Sequence, residues 1–410
     1  MLLLLLACET PTESLTWHAD VAPAIDGACA RCHAPGSPGP GDFTSYEDAK
    51  SWAPFMVEAI ESGEMPPPLA DPDCRPWQGW EDLVPDPELA STLQAWIDAG
   101  SPEGDPATAP VVERPEIGLA SPDLTVQINA AYTPTFTDEH DPGNEYRCFV
   151  VEHGQTEPFY IRRMAPIVDQ GDIVHHMLLF AATEDEIPAN DPETGWSCIN
   201  DPFVGGDSAA SVLAGNGILA GWAPGMLPIE FEDGVGIRVT PDQKLVIQVH
   251  YFDIGPGSEG LQDRPGWAFD LFDEPVTPLM MAPMGVYGFR IPADDPAVTL
   301  EQGFELPIDM RLYGVFPHMH KLGISYHMEL SDEDGTECLV TGGYDFENQM
   351  TYMFEDSKKI KAGQTISMSC TWDNSADNPN QLFDPPQEIR YGERTDEEMC
   401  FGFSYIGLGG

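Results

Sequence analysis

The chain has 410 residues, 42% of them apolar, enough for two or three domains with ordinary cores. Against 69 Asp plus Glu stand 18 Lys plus Arg, a formal net charge of −51. A polyanion this strong repels nucleic acid, which is excluded as a partner, and it slows the approach of any small anion that no local cluster attracts.

In chain order, the first segment is MLLLLLAC. Its Leu-Leu-Ala-Cys end resembles the lipobox at which bacterial lipoproteins are cleaved and lipidated, which makes Cys8 the lipidated residue and residues 1–15 a signal and tether. The apolar run is short for a signal core and no basic residue precedes it. That leaves open a start further upstream and, as the plainer alternative, a short apolar tail. On the lipoprotein reading the protein is extracytoplasmic, periplasmic or at the cell surface, and meets a bacterial membrane through that anchor. No other segment is long enough to span a bilayer.

Cys29, Cys32 and His33 follow in the sequence CARCH. This spacing attaches a c-type haem through two thioethers, with the histidine as proximal ligand. A zinc site would require a second Cys or His pair at short spacing, which Cys74 alone does not provide. The expected distal ligand is Met65 in SGEMPPP, because a thioether opposite histidine raises the haem potential; Met56 is the alternative. Residues 18–28 lead into the motif and residues 45–61 have a helical period. Asp86 with Pro87 reads as the cap and first turn of ELASTLQAWIDAG, closed by Gly100. Residues 16–100 resemble a small, all-α class I cytochrome c, and the Pro-rich residues 101–117 read as a linker.

Beyond the linker, short alternating segments separated by Gly, Pro, Asn and Asp indicate antiparallel sheets, with no long helical period that would suggest parallel βαβ units. In VHHMLLF, His175 and His176 would point to opposite faces of a regular strand, so a shared metal requires a bulge or a strand end there. In KLVIQVHYF, His250 shares a face with Val246, Gln248 and Phe252. In PHMHKLG, His318 and His320 are two apart and point the same way, with Pro317 suggesting a strand start or edge. Met399 follows in DEEMC. Imidazoles joined by one thioether select copper, since the soft sulfur favours the cuprous state and imidazole serves both oxidation states. Taken singly, a strand histidine such as His250 is more often a hydrogen-bonded core residue, and a lone methionine is packing. The ordered set is what points to metal. His18, His140, His153 and His327 fall outside it and read as structural or solvated.

This order of fragments, with HHMLLF, QVHY and the run from CTWDNSADNPN to DEEMC, resembles the copper type II, ascorbate-dependent monooxygenases over roughly residues 117–410. The resemblance implies two antiparallel, jelly-roll-like β-sandwich domains, 118–276 and 277–410, with an open, solvent-filled cleft between them. It also implies two coppers. His175, His176 and His250 would hold the electron-supplying ion, and His318, His320 and Met399 the catalytic, oxygen-binding one. By resemblance Cys148 pairs with Cys198 and Cys370 with Cys400, pinning Met399. Cys74 and Cys338 are left either free or joined across domains.

The activity so implied is hydroxylation of a C–H bond of a small molecule with O2. The c-type haem, ascorbate or both would supply electrons from a donor the sequence does not identify. Where the peptide-hydroxylating members have an arginine two residues before the first histidine of the HxH pair, this chain has Phe316. Phe401 and Phe403 replace their asparagine and tyrosine, and Met319 replaces the usual threonine. Losing the charged anchor favours an apolar or aromatic substrate. Two other classes fit the same residues: a lipid-anchored haem and copper protein that transfers electrons or binds copper without oxygenation, and a haem-based sensor.

Overall fold

The computed structural model describes residues 15–408 except 36, 38, 112–116, 138–142, 199–216, 254, 256 and 393. Cys8 and His140 lie outside the described residues. The chain divides into two compact units, one of residues up to 66 plus 81–115, the other of 67–80 plus 116 onward.

The first unit holds helices and, among its described residues, no strand. Thr16 and Asp20 open it by capping reciprocally: the Asp20 carboxylate accepts the Thr16 N–H at 2.7 Å and the Thr16 hydroxyl accepts from Ala19 N. The helix Tyr46–Ser62 ends at Gly63, whose φ of 77° is the left-handed conformation that stops a helix at low steric cost. Trp17, Ile25, Met56, Leu93 and Trp96 interlock as the core. The last α-helix runs Leu89–Asp98. It starts later than the Asp86-Pro87 reading expects, because the Asp86 side chain binds Glu88 N at 2.8 Å in a local turn that delays the first helical residue.

The second unit is built of strands. Asn144–Val151, Val174–Thr183 and Gln243–Phe252 form the centre of a five-stranded antiparallel sheet, with Gln243–Phe252 in the middle. A nine-stranded sheet contains Phe159–Ile167, Val235–Val239, Thr277–Gly285, Phe401–Leu408 and Met310–His318 in neighbouring positions. A four-stranded sheet carries Val298–Glu305, Thr365–Trp372, Gly323–Asp332 and Gly335–Gly343.

Two boundaries differ from the sequence reading. The expected break at 276/277 falls inside the nine-stranded sheet: Thr277 pairs in parallel with Val235 and Leu279 with Ile237, so backbone hydrogen bonds cross it. Residues 67–80, read as part of the helical domain, belong to the β unit. Asp71 N donates to Thr341 O at 2.8 Å, Gln78 N to Met353 O at 2.7 Å, and Cys74 is disulfide-bonded to Cys338.

The other two disulfides join Cys148 to Cys198 and Cys370 to Cys400. Three such bonds point to an oxidising compartment. No helix among the described residues is long and apolar enough to cross a membrane.

Candidate metal centres

His175, His176 and His250 come together at one end of the five-stranded sheet. His176 sits opposite His250 in the antiparallel ladder, and the register shifts between Val174 and His176. His175 is thus the extra residue at a strand start, the irregularity that two adjacent inward-facing histidines need. The ligand-capable atoms of all three lie within 4.8 Å of one another.

Their partners indicate which nitrogen each ring presents. His250 Nε2 lies 2.6 Å from Asn144 Oδ1, an acceptor, so that nitrogen carries the proton and Nδ1 keeps its lone pair. The Glu347 carboxylate meets His175 Nε2 off the N–H direction, as an ion contact rather than an aligned hydrogen bond. A carboxylate can face that nitrogen only when it bears hydrogen. His175 Nδ1 and His250 Nδ1 both turn toward His176 Nδ1, at 2.9 and 3.3 Å. Tyr146 stacks on the His250 ring at 4.1 Å and fixes its plane. Burial, then the neighbouring imidazoles, holds His176 and His250 well below the usual histidine pKa, so both are neutral.

His318 ends the strand Met310–His318 and His320 follows it, with ring centroids 5.2 Å apart. Here the other nitrogen is committed: His318 Nδ1 bonds Gln349 Oε1 at 2.7 Å, and His320 Nδ1 bonds the Glu397 carbonyl at 3.0 Å. The backbone of Arg394 also bonds the His320 ring. Burial lowers His318 to about 4 and His320 to about 3, the latter helped by His318.

Met399 is half-buried. His318 pairs with Phe401 at the end of the antiparallel ladder, and Met399 lies two residues before Phe401 in the chain, outside the strand. Beside it the buried Glu398 carboxylate accepts from His320 N at 2.9 Å, Leu322 N at 2.7 Å and Trp372 Nε1 at 2.9 Å, while burial pushes its pKa up to about 7. The Cys370–Cys400 bond closes the same turn.

The two histidine groups share a neighbour, since the buried Phe346 ring lies 6.1 Å from His175 and 6.4 Å from His320. An aromatic ring therefore contacts both groups where the family resemblance implies an open cleft. Phe403 lies 6.0 Å from both His318 and Phe316.

In the helical unit, Cys29, Cys32 and His33 occupy one turn, with His33 N bonded to Cys29 O at 3.0 Å. Neither cysteine is in a disulfide. Burial pushes Cys29 up to about 11, so the thiol is protonated. His33 Nδ1 bonds Pro40 O at 2.7 Å, which puts the hydrogen on Nδ1 and the lone pair on Nε2, and the ring stacks on Phe43 at 4.3 Å. Gly39 passes so close that a Cβ there would stand 2.7 Å from His33 Nδ1. Met56 is consumed by the core, whereas Met65 is 40% exposed.

Asn144, Tyr146, Phe346, Glu347, Gln349 and Glu398 were not among the residues singled out from sequence. Only Glu398 carries a local signal, as the acid preceding Met399.

Fold and cluster together define the class, a β-sheet protein with a three-imidazole group able to hold a metal ion. Residues 134–255 match the family described as "Copper type II ascorbate-dependent monooxygenase, N-terminal domain", a stretch that contains His175, His176, His250 and the Cys148–Cys198 bond. Among solved structures, a Paenibacillus xanthan lyase is 9% identical over 74% of this chain, with a TM-score of 0.18; the chain spans 28% of the lyase's length. The VP2 subviral particle of infectious bursal disease virus is 11% identical over 74% of this chain and 76% of that one, also with a TM-score of 0.18. Likenesses this low carry no argument.

Proposed function

We propose that the chain is an extracytoplasmic, two-copper monooxygenase that hydroxylates a C–H bond of a small apolar or aromatic molecule and draws electrons through its own c-type haem. The observation that carries this reading is the convergence of the Nδ1 atoms of His175 and His250 on that of His176, with His250 Nε2 bonded to Asn144 and His175 Nε2 beside the Glu347 carboxylate. One hydrogen on His176 Nδ1 can serve only one of its two imidazole neighbours, whereas a cation at that centre would satisfy all three nitrogens. Its agreement with a copper-dependent family over the same residues selects copper.

His318, His320 and Met399 form the second site in this reading. Gln349 and the Glu397 carbonyl hold the rings with Nε2 as donor, and the soft sulfur supplies the third ligand. Copper at the two positions would supply one-electron transfers and the reduction of O2 that inserting an oxygen atom into a C–H bond requires. The protein's own part is orientation and exclusion of water. Half-buried Phe403 beside His318 would offer a substrate van der Waals contact and no charged anchor, while Phe316 and Phe401 are taken up in packing. The haem would be held by Cys29, Cys32 and His33, with Met65 as the distal ligand because Met56 is occupied in packing. In this scheme the haem replaces ascorbate in whole or in part, consistent with a charge of −51 that repels an anionic reductant. Anchoring through a lipid on Cys8 belongs to the same proposal.

Metal and haem analysis of exported protein, followed by O2 uptake and product analysis with aromatic test substrates, checks the reading. Two coppers and one haem per chain, with O2 uptake matched to a hydroxylated product and abolished by Met399→Ala, is the expected outcome. Copper and haem with no oxygenated product would instead identify an electron-transfer protein. Zinc in the histidine sites would end the copper assignment.

A further inference from the structure

The segment joining Gly335–Gly343 to Tyr352–Ile360 reaches both histidine groups with successive side chains. Glu347 meets His175 Nε2, Gln349 meets His318 Nδ1, and Phe346 lies against His175 and His320. We propose that Asp345–Gln349 is one positioning clamp shared by the two metal sites, setting opposite tautomers in them: Nδ1 of His175 and Nε2 of His318 as the ligand atoms. This rests on the two-copper reading for its purpose, though not for its geometry.

The hydrogen-bond logic leaves little choice at Gln349. Its Nε2 donates to the Phe346 carbonyl at 3.0 Å, and that carbonyl can only accept, so the amide oxygen is the end facing His318. An amide oxygen accepts, hence His318 Nδ1 carries the hydrogen and Nε2 the lone pair. Gln349 is 4% exposed, so water does not compete for either end. Glu347 favours the reverse at His175 electrostatically, because a carboxylate beside Nε2 stabilises hydrogen on that nitrogen even where the N–H is not aimed at it.

The clamp is itself braced. Asp345 Oδ1 accepts from Glu347 N at 2.9 Å, Asn348 N donates to Asp345 O at 3.1 Å, and Thr351 Oγ1 donates to Gly221 O at 3.3 Å on a strand of the five-stranded sheet. A turn held this way transmits a change at Asp345 to both arms.

Long-range nitrogen–proton NMR of the metal-free, full-length protein reads the tautomers directly. The wild type is expected to show hydrogen on Nε2 of His175 and on Nδ1 of His318. Glu347→Ala should mix the tautomers at His175 alone, Gln349→Leu at His318 alone, and Glu347→Gln should restore His175 because its amide oxygen still accepts. Competitive Cu(II) titrations, run in His320→Ala and His250→Ala backgrounds to isolate each site, should then show a loss of roughly 10- to 100-fold in affinity at the matching site. Asp345→Ala should weaken both sites together.

Hydrogen on Nδ1 of His175 or on Nε2 of His318 in the wild type, variants that leave the tautomers unmoved, or an Asp345→Ala change felt at one site only would overturn the clamp. If copper fails to bind the wild type, the oxygenase reading falls, while the NMR result still decides the clamp.

Discussion

Which nitrogen a histidine offers is set by what its other nitrogen touches, and here the choice differs between the two groups. Asn144 is the cleanest case, since its side chain bonds His250 Nε2 at 2.6 Å and Asn144 is 6% exposed. Replacing it with leucine removes the acceptor and leaves His250 free to exchange tautomers. Copper affinity at the first group should fall about 10- to 100-fold, measured by chelator competition; an unchanged affinity would mean that Tyr146 stacking alone orients the ring.

A second residue governs pH response away from either metal group. Burial pushes Asp263 up to about 6, against hydrogen bonds from Gln170 N at 3.0 Å, Tyr251 Oη at 3.2 Å and Asp169 N at 3.2 Å. The folded state therefore holds this proton more tightly than the unfolded chain, whose value is near 3.8. The contribution is complete below that value and is lost as pH rises through about 6, a change of about 3 kcal/mol. Urea unfolding of wild type and Asp263→Asn at pH 4 and pH 7 checks it: the difference between the two proteins should change over that interval in the sense that the wild type loses more. Parallel pH profiles would rule it out.

At the scale of elements, the site depends on one irregularity and one close approach. The irregularity at His175 was legible from sequence, because two adjacent histidines cannot face one metal from a regular strand. The closeness of the HxH pair, whose rings lie 5.2 Å apart, fits the sequence reading that residues two apart point the same way. The close approach was not legible. A Cβ on Gly221 would stand 2.9 Å from the Phe316 ring and 3.2 Å from Leu178, so the five-stranded sheet rests on the strand that ends at His318 through a missing side chain. Gly221→Ala should cost about 1–3 kcal/mol in denaturant unfolding and perturb the Cu(II) spectrum of the His318 site. A silent substitution would show that Phe316 swings aside freely.

Glu347, Gln349 and Asn144 escaped the sequence reading for a related reason. Each lies on a segment with no metal-binding spacing, and each gains its role only when strands remote in sequence are brought together. The boundary at 276/277 failed because a parallel pairing of two short strands leaves no compositional mark.

At the scale of the molecule, the cysteines explain most of what the sequence left open. Two pairings implied by resemblance are present, and Cys74–Cys338, the undecided pair, is the third bond. Bridging 264 positions, it constrains the unfolded chain by about 5–6 kcal/mol in the loop-entropy picture. Cys74→Ser with Cys338→Ser should lower the unfolding midpoint without altering copper content. An equal midpoint would indicate that the hydrogen bonds of residues 67–80 suffice. The same bond decides how the haem proposal can be tested. Deleting residues 1–107 would strip Cys338 of its partner as well as removing the haem motif, so Cys29→Ala with Cys32→Ala is the sharper variant. It should abolish covalent haem and slow turnover with a physiological donor, while leaving turnover with an artificial reductant intact.

Because residues 67–80 are stitched into the strands, residues 81–115 are a closed excursion of the polypeptide, fastened to the β unit at both ends. A protease cutting once near residue 110 would then release nothing. The two pieces should migrate as a single band on a denaturing gel until thiol is added, when they part.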